Sequence, residues 1–327
     1  MAPRRPSQPD CAASESIGSG ARHIATISID NQLRSLLDRK NWWIAYSGGV
    51  DSTVLLHLAA HFLEQLKNKT SGTSPAFLPR LYAVHIDHQL QEASAAWAQH
   101  CVSVSEAMGV ECVVRGVRVN AEGQGVEAAA RKARYQAMAN IVEPNDVLMT
   151  AHHANDQAET ILLRLLRGAG LKGAAGMASQ RAMTARNIDK PDVILHRPLL
   201  AVDREQVLAY ATEHRLHWVD DPSNEVVHYD RNWVRQRVLP LLKQRWPATE
   251  KKLVQFALQA REGQELLDEL AAIDLDSVDA GRDRYGNNLS VTGLRDLSDT
   301  RFANVVRYWL AQLGVGMPTR AMLHELI

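Results

Sequence analysis

Six residues constrain this chain more than any others: Ser47-Gly48-Gly49-Val50-Asp51-Ser52. They separate two stretches of different periodicity. Asn41 to Tyr46 is a short aromatic and branched run, the pattern of a buried strand. After the loop, Val54, Leu55, Leu58 and Phe62 recur at helical spacing. A strand that turns through paired glycines straight into a helix leaves the first helical N–H groups unbonded, with the positive end of the dipole at the turn. Glycine permits positive φ and close backbone approach, so the arrangement suits a phosphate. Ser47 and Ser52 add hydroxyl donors, and Asp51 suits a phosphate only through a cation such as Mg²⁺. No Gly-Lys-Ser/Thr follows, which excludes the kinase-type phosphate loop. A plain glycine turn with a Ser or Asp N-cap fits the same residues.

The strand–helix alternation then repeats. Leu81–Ile86, Glu111–Val119 and Asp146–Thr150 read as strands. Residues 92–108, 127–142 and 155–167 read as helices. This order predicts an α/β fold, a parallel sheet with helices on both faces and its ligand site at the carboxyl ends of the strands. From about Pro198 helical stretches dominate, which predicts a smaller helical domain to follow. The expected division is a disordered tail over 1–20, a sheet domain carrying the phosphate loop over 21–246 and a helical domain over 250–327, cut at Trp246-Pro247. The final apolar helical pattern, ending at Ile327 without a cap, reads as a truncated end.

Composition narrows the classes. The 37 Lys+Arg balance 37 Asp+Glu, which argues against a generally basic nucleic-acid-coating protein. The balance hides segregation: residues 228–252 carry seven Lys/Arg and two Asp/Glu, whereas 265–279 carry six Asp/Glu and no Lys/Arg. No apolar run approaches a membrane span, and the arginine-bearing N-terminus lacks the apolar stretch of a secretory signal. Cys11, Cys101 and Cys112 form no Cys-x-x-Cys pair. Cytoplasm is the expected compartment, with no membrane partner.

Other residues carry candidate chemistry. His85-Ile86-Asp87-His88-Gln89-Leu90 ends a strand at the ligand edge. Glu127, Arg131 and Arg134 are spaced to share a helix face, either for a ligand or for pairing with one another. His152-His153-Ala154-Asn155-Asp156-Gln157-Ala158-Glu159 opens a helix. Asp156 and Glu159 face the same way, so they suit either a helix cap or the ammonium of an amino acid. Arg164, Arg167, Arg197, Arg231 and Arg235 suit phosphate or single-stranded RNA, and equally a solvated surface.

The loop Ser-Gly-Gly-x-Asp-Ser after a buried strand resembles the pyrophosphate (PP) loop of the ATP pyrophosphatase superfamily, with an adenine nucleotide alpha hydrolase-like fold. The later motifs, above all His-His-x-x-Asp-Gln-x-Glu-Thr and Asp221-Pro222-Ser223-Asn224 through Arg231-Asn232-x-x-Arg235, resemble the tRNA(Ile)-lysidine synthase family over roughly 40–245. Gln91 and Asn155 depart from that family's usual Arg and Asp. The resemblance implies a ligase that uses ATP and Mg²⁺ to join L-lysine to the wobble cytidine of a tRNA(Ile) with the anticodon CAU. It implies that Ser47, Gly48, Gly49, Val50, Asp51 and Ser52 bind ATP, with His85 and Asp87 lining the pocket and Asp51 holding Mg²⁺. Asp156 and Glu159 would bind lysine. His152 and Arg131 or Arg134 would act on the adenylated intermediate, and Arg231 and Arg235 on tRNA or phosphate. A tRNA thiolase or a small-molecule synthetase of the same superfamily is the alternative. A homodimer is one option for the assembly.

Overall fold

The computed structural model describes residues 28–69, 77–87, 94–118, 126–185, 188–220, 230–283, 286–316, 318 and 320–325. The expected tail over 1–20, His88 to Gln91 and Asp221 to Asn224 lie outside the described residues. The chain divides into two compact units, one of 1–157 with 178–227, the other of 158–177 with 228–327. This partition differs from a cut at Trp246-Pro247. The segment 158–177 clusters with the downstream helices rather than with the sheet that precedes it.

In the first unit a short helix α1 (28–34) precedes β1 (Asn41–Ala45). The helix α2 (Val50–Lys69), β2 (Arg80–Asp87), α3 (Ser94–Ala107), β3 (Glu111–Gly116), α4 (Val126–Ala139), β4 (Val147–Met149) and α5 (Ala154–Leu166) follow. After the four-residue helix α6 (Leu171–Ala174) come β5 (Gln180–Ala185), β6 (Ile188–His196) and α7 (Arg204–Glu213). The strands form one sheet in the order β3-β2-β1-β4-β6-β5. Every neighbour is parallel except β5, which runs antiparallel to β6. The α/β expectation is met. The edge hairpin β5–β6 was not anticipated, because its polar composition masks the strand pattern.

Both faces of the sheet are covered. Trp42 and Ile44 of β1 enter a core with Val54, Leu55 and Phe62 of α2 and Val207 of α7. Trp43 enters the opposite core with Met138 of α4 and Leu195 of β6. A strand buried on both sides reads as a continuous apolar run, which is why Trp-Trp-Ile is so marked. The indoles still need partners. Trp42 Nε1 donates to the Leu36 carbonyl at 3.0 Å, and Trp43 Nε1 to Asp146 Oδ2 at 2.9 Å. Asp146 is fully buried and also accepts from Asn41 Nδ2 and Glu143 N, so its carboxylate is satisfied by three donors.

The order β2-β1-β4 makes the chain reverse direction across the sheet beside β1. That is where open parallel sheets leave a crevice at their carboxyl edge. The glycine loop follows β1, and residues 150–153 follow β4.

The second unit is mainly helical. It contains the C-terminal part of α5, α6, α8 (Asp230–Trp233), a π-helical turn over Val234–Val238, α9 (Leu239–Arg245) and the long helix α10 (Thr249–Val278). A small hairpin of β7 (Asp279–Asp283) and β8 (Gly286–Leu289) follows, then α11 (Val291–Arg295), α12 (Asp299–Gln312) and α13 (Arg320–His324). Val278, Phe302, Val305 and Leu323 form its distal core. Ala158, Val234 and Leu239 form another. Arg164 Nη1 donates to the carbonyls of Gly173 and Gly176, and Arg261 Nη2 to those of Ala175 and Met177. These two arginines therefore tie down the turn after α6. Among the described residues, no helix is long and apolar enough to cross a membrane.

Candidate active site

The glycine loop closes its own hydrogen bonds. Ser52 Oγ lies 3.1 Å from Ser47 Oγ, accepts from Ser47 N at 3.2 Å and donates to the Gly49 carbonyl at 3.0 Å. Thr53 Oγ1 donates to the same carbonyl at 3.0 Å. Gly48 has φ +82°, and a Cβ there would stand 2.7 Å from Trp97 Nε1 and 2.8 Å from Cys101 Sγ. Glycine is required at this position by conformation and by the α3 side chains behind it. At Gly49 a Cβ would meet nothing closer than 3.5 Å. Protein packing therefore does not demand the second glycine, which instead leaves the mouth of the loop clear.

His85 is buried behind this loop. Its Nδ1 lies 3.0 Å from the Tyr46 carbonyl and 3.4 Å from Cys101 Sγ. Burial pushes its pKa below the usual histidine value, with the Tyr46 carbonyl pulling the other way, so it is a neutral group bracing the loop. Asp87 ends β2 half-buried, and its carbonyl accepts from Val117 N. Burial raises the Cys101 thiol to about 12 and the Cys112 thiol to about 11, so neither is a nucleophile at neutral pH.

The residues after β4 bring a second group to the same edge. His153 is buried, and its Nε2 lies 3.7 Å from Asp51 Oδ2 and 3.5 Å from Asp156 Oδ2. Asp156 Oδ2 also accepts from the His153 backbone N at 3.0 Å. Asp156 is thus the third residue of α5 reaching back to the N–H that precedes the helix, which is half of a capping box. The Asp-x-x-Glu cap of the sequence reading is displaced by one turn: Asp156 is the capping acid and Glu159 lies deeper in the helix. The motif match points to His152, yet His153 is the imidazole between the two carboxylates. His152 Nδ1 lies 2.9 Å from Thr150 Oγ1. Asp51 Oδ1 is buried with no hydrogen-bond partner among the described residues.

On α4, Arg131 is exposed and stacks over the Tyr135 ring at 5.3 Å, and Arg134 is half-buried. The side chain of Glu127 lies outside the described residues.

In the second unit Glu159 is almost fully buried and accepts from both predicted arginines. Arg231 Nε reaches its Oε2 at 2.8 Å, and Arg235 Nε reaches its Oε1 at 2.5 Å, with Arg235 Nη2 on Oε2 at 3.0 Å. The π turn carries Arg235 to the carboxylate, with Val234 and Leu239 on either side in the core. Asp156 and Glu159 share a helix, as their spacing requires, but their carboxylates have different partners. Arg167 pairs with Asp230 at an exposed position, at 2.7 Å.

Two family models match the chain: a PP-loop domain over residues 22–242, and the TilS substrate binding domain over 289–327. The tRNA(Ile)-lysidine synthase of Alkalilimnicola ehrlichii is 43% identical over 306 residues, covering 93% of this chain and 62% of that protein. That of Pseudomonas fluorescens is 42% identical over 284 residues, covering 86% and 60%. The chain spans about three-fifths of the length of these relatives. Among solved structures, a U34-tRNA thiolase from Methanococcus maripaludis superposes with a TM-score of 0.55 at 15% identity, over 74% of this chain and 80% of that one. At that identity the likeness concerns the fold alone.

Proposed function

The chain belongs to the PP-loop family, and from that premise we propose that it is an ATP-dependent ligase that makes lysidine in tRNA. The substrate is a tRNA(Ile) with the anticodon CAU, and the target is its wobble cytidine at position 34. The cytidine 2-oxygen attacks the α-phosphorus of ATP, and pyrophosphate leaves. The side-chain amine of L-lysine then attacks C2; the C2–O bond breaks, AMP leaves with the oxygen, and the amine loses a proton. The same reading places the protein in the cytoplasm and gives 250–327 a part in choosing the tRNA.

One observation carries the reading: a phosphate loop and Asp156 meet at one sheet edge, linked through Asp51 and His153. Loop N–H groups and the Ser47 and Ser52 hydroxyls would hold the ATP phosphates. The residues fit Mg²⁺. Asp51 has a buried oxygen without a partner, and one carboxylate completed by phosphate oxygens is an ordinary Mg²⁺ arrangement. No group of three His, Cys, Asp or Glu suited to a metal occurs among the described residues. When bound, the ion would neutralise phosphate charge. Asp156 is our candidate for the lysine ammonium. His152, with one nitrogen on Thr150, is our candidate for accepting the amine proton. Glu159 holds Arg231 and Arg235 in place, which would present anchored guanidinium groups to the RNA. Arg131 and Arg134 are assigned to the adenylated base.

The test is transfer of labelled lysine to tRNA(Ile) bearing CAU, with tRNA(Met) and omission of ATP as controls, and pyrophosphate read in the same tubes. Label in tRNA(Ile) alone and only with ATP is expected. Asp51→Ala and Asp156→Ala should reduce transfer by at least a hundredfold. Pyrophosphate release that depends on neither lysine nor this tRNA would overturn the substrate assignment.

A further inference from the structure

Arg197 follows β6 immediately and is only 4% exposed. Its Nη1 donates to the Ala178 carbonyl at 2.6 Å, while its Nε is buried with no hydrogen-bond partner among the described residues. No described carboxylate forms an ion pair with it. Buried guanidinium groups are ordinarily paired, because an uncompensated charge out of water is costly. The charged neighbours make matters worse. Burial lowers the pKa of Arg197 most, Arg181 and Arg131 lower it further, and only Tyr135 acts in the opposite direction.

The cluster follows from strand register. Arg181 lies opposite Leu195 across the β5–β6 pair. Leu195 packs against Met138 of α4. Side chains alternate along a strand, so Arg181 and Leu195 share the α4 side, and Arg197, two residues on, is brought to it as well. Arg131 and Tyr135 stand on α4 itself. The preceding residue, His196, is held neutral, with a pKa lowered to about 4 by burial and then by Arg197. The place is on the ligand edge of the sheet, since Thr150 N donates to the His196 carbonyl at 3.0 Å.

We propose that Arg197, flanked by Arg131 and Arg181, is the centre of a buried phosphate subsite at the carboxyl edge of β6. Its occupant is a phosphate ester, whose oxygens supply the negative charge that no described carboxylate gives Arg197 and match the planar fork of a guanidinium. The ester belongs either to the nucleotide or to the RNA backbone beside the target base. The subsite rests on the lysidine reading only for the source of that phosphate.

The test uses the full chain with Arg197→Gln, Arg197→Lys and Arg181→Gln, each checked by circular dichroism. Arg181 is exposed, so its variant reports even if Arg197→Gln does not fold. The first probe is inorganic phosphate. The rise in melting temperature that it gives should shrink in Arg181→Gln and Arg197→Lys and shrink most in Arg197→Gln. Two further titrations identify the source. If the phosphate is the nucleotide's, affinity for a non-hydrolysable ATP analogue falls about tenfold without tRNA present. If it is the RNA's, tRNA affinity falls and the slope of log K against log salt drops by about one, with ATP affinity unchanged. Folded variants with phosphate protection, ATP affinity and tRNA salt slope all unchanged would overturn the subsite while leaving the lysidine reading intact. Phosphate protection that depends on Arg197 in a protein that transfers no lysine would have the reverse meaning.

Discussion

The glycine loop and the Glu159 cluster are both polar, and they are built in opposite ways. Ser47, Gly49, Ser52 and Thr53 satisfy one another within a few residues of chain. Glu159 takes its partners from 72 and 76 positions downstream. The loop keeps an outward face for a ligand, whereas the buried carboxylate is consumed by protein cations. A local motif can lose one bond and keep its shape. A long-range buried ion cluster fixes two distant segments, and removing its centre strands the charges around it.

That contrast can be tested in order of expected effect. Glu159→Ala should cost about 3 kcal/mol in denaturant unfolding, the low end for a broken buried pair, since both arginines keep some access to water. An unchanged midpoint would mean that the cluster is not structural. Gly48→Ala should cost about 2 kcal/mol, from the left-handed conformation and the clash with Trp97 and Cys101. Gly49→Ala, by contrast, should fold normally and weaken ATP binding. Equal destabilisation by the two would break the distinction drawn between the glycines. Ser52→Ala should cost about 1 kcal/mol in stability, a smaller loss than that of Glu159→Ala if local networks tolerate loss better. Its ATP affinity should fall more than its stability.

The smallest effect concerns pH. His57 of α2 lies against His61, Tyr210 and His214, with its Nδ1 2.9 Å from the Tyr210 hydroxyl. Burial, then His214 and His61, lowers its pKa from 6.5 to about 4. A histidine held neutral in the fold takes up its proton more readily when unfolded. Its contribution is therefore intact above pH 6.5 and is lost as pH falls from there towards about 4. His196 acts in the same sense. Melting temperature should decline through this window, and less steeply in His57→Gln. Superimposable profiles for the two proteins would remove His57 from the account.

Much of the sheet was legible because its strands are apolar on both faces and its helices keep a 3.6-residue period. Strand β1 and helix α2 fall where the pattern places them. The hairpin β5–β6 was not legible, because Arg181, Thr184, Lys190 and Asp192 interrupt any alternation and the pairing alone makes them strands. The helical character of the chain after Pro198 is visible in the sequence, but the π turn over Val234–Val238 is not.

His152 and His153 show where reading by residue type stops. Adjacent and identical, they differ only in the direction in which the backbone after β4 points them. One meets Thr150; the other lies between Asp51 and Asp156. The available signal was Asp156 itself, three residues beyond His153 as the acid that caps the start of α5. Chain continuity likewise places residues 158–177 with the sheet domain, although they cluster with the second unit.

The sequence by itself determined the phosphate loop, the α/β alternation and the family, because each rests on chemistry confined to neighbouring residues. Which imidazole joins the carboxylates, which arginines hold Glu159 and which one is buried beside two others were decided only by the tertiary structure. Those contacts depend on strand register and helix packing between segments far apart in the chain. The one local hint is Asp156, three residues beyond His153; no local pattern encodes the rest.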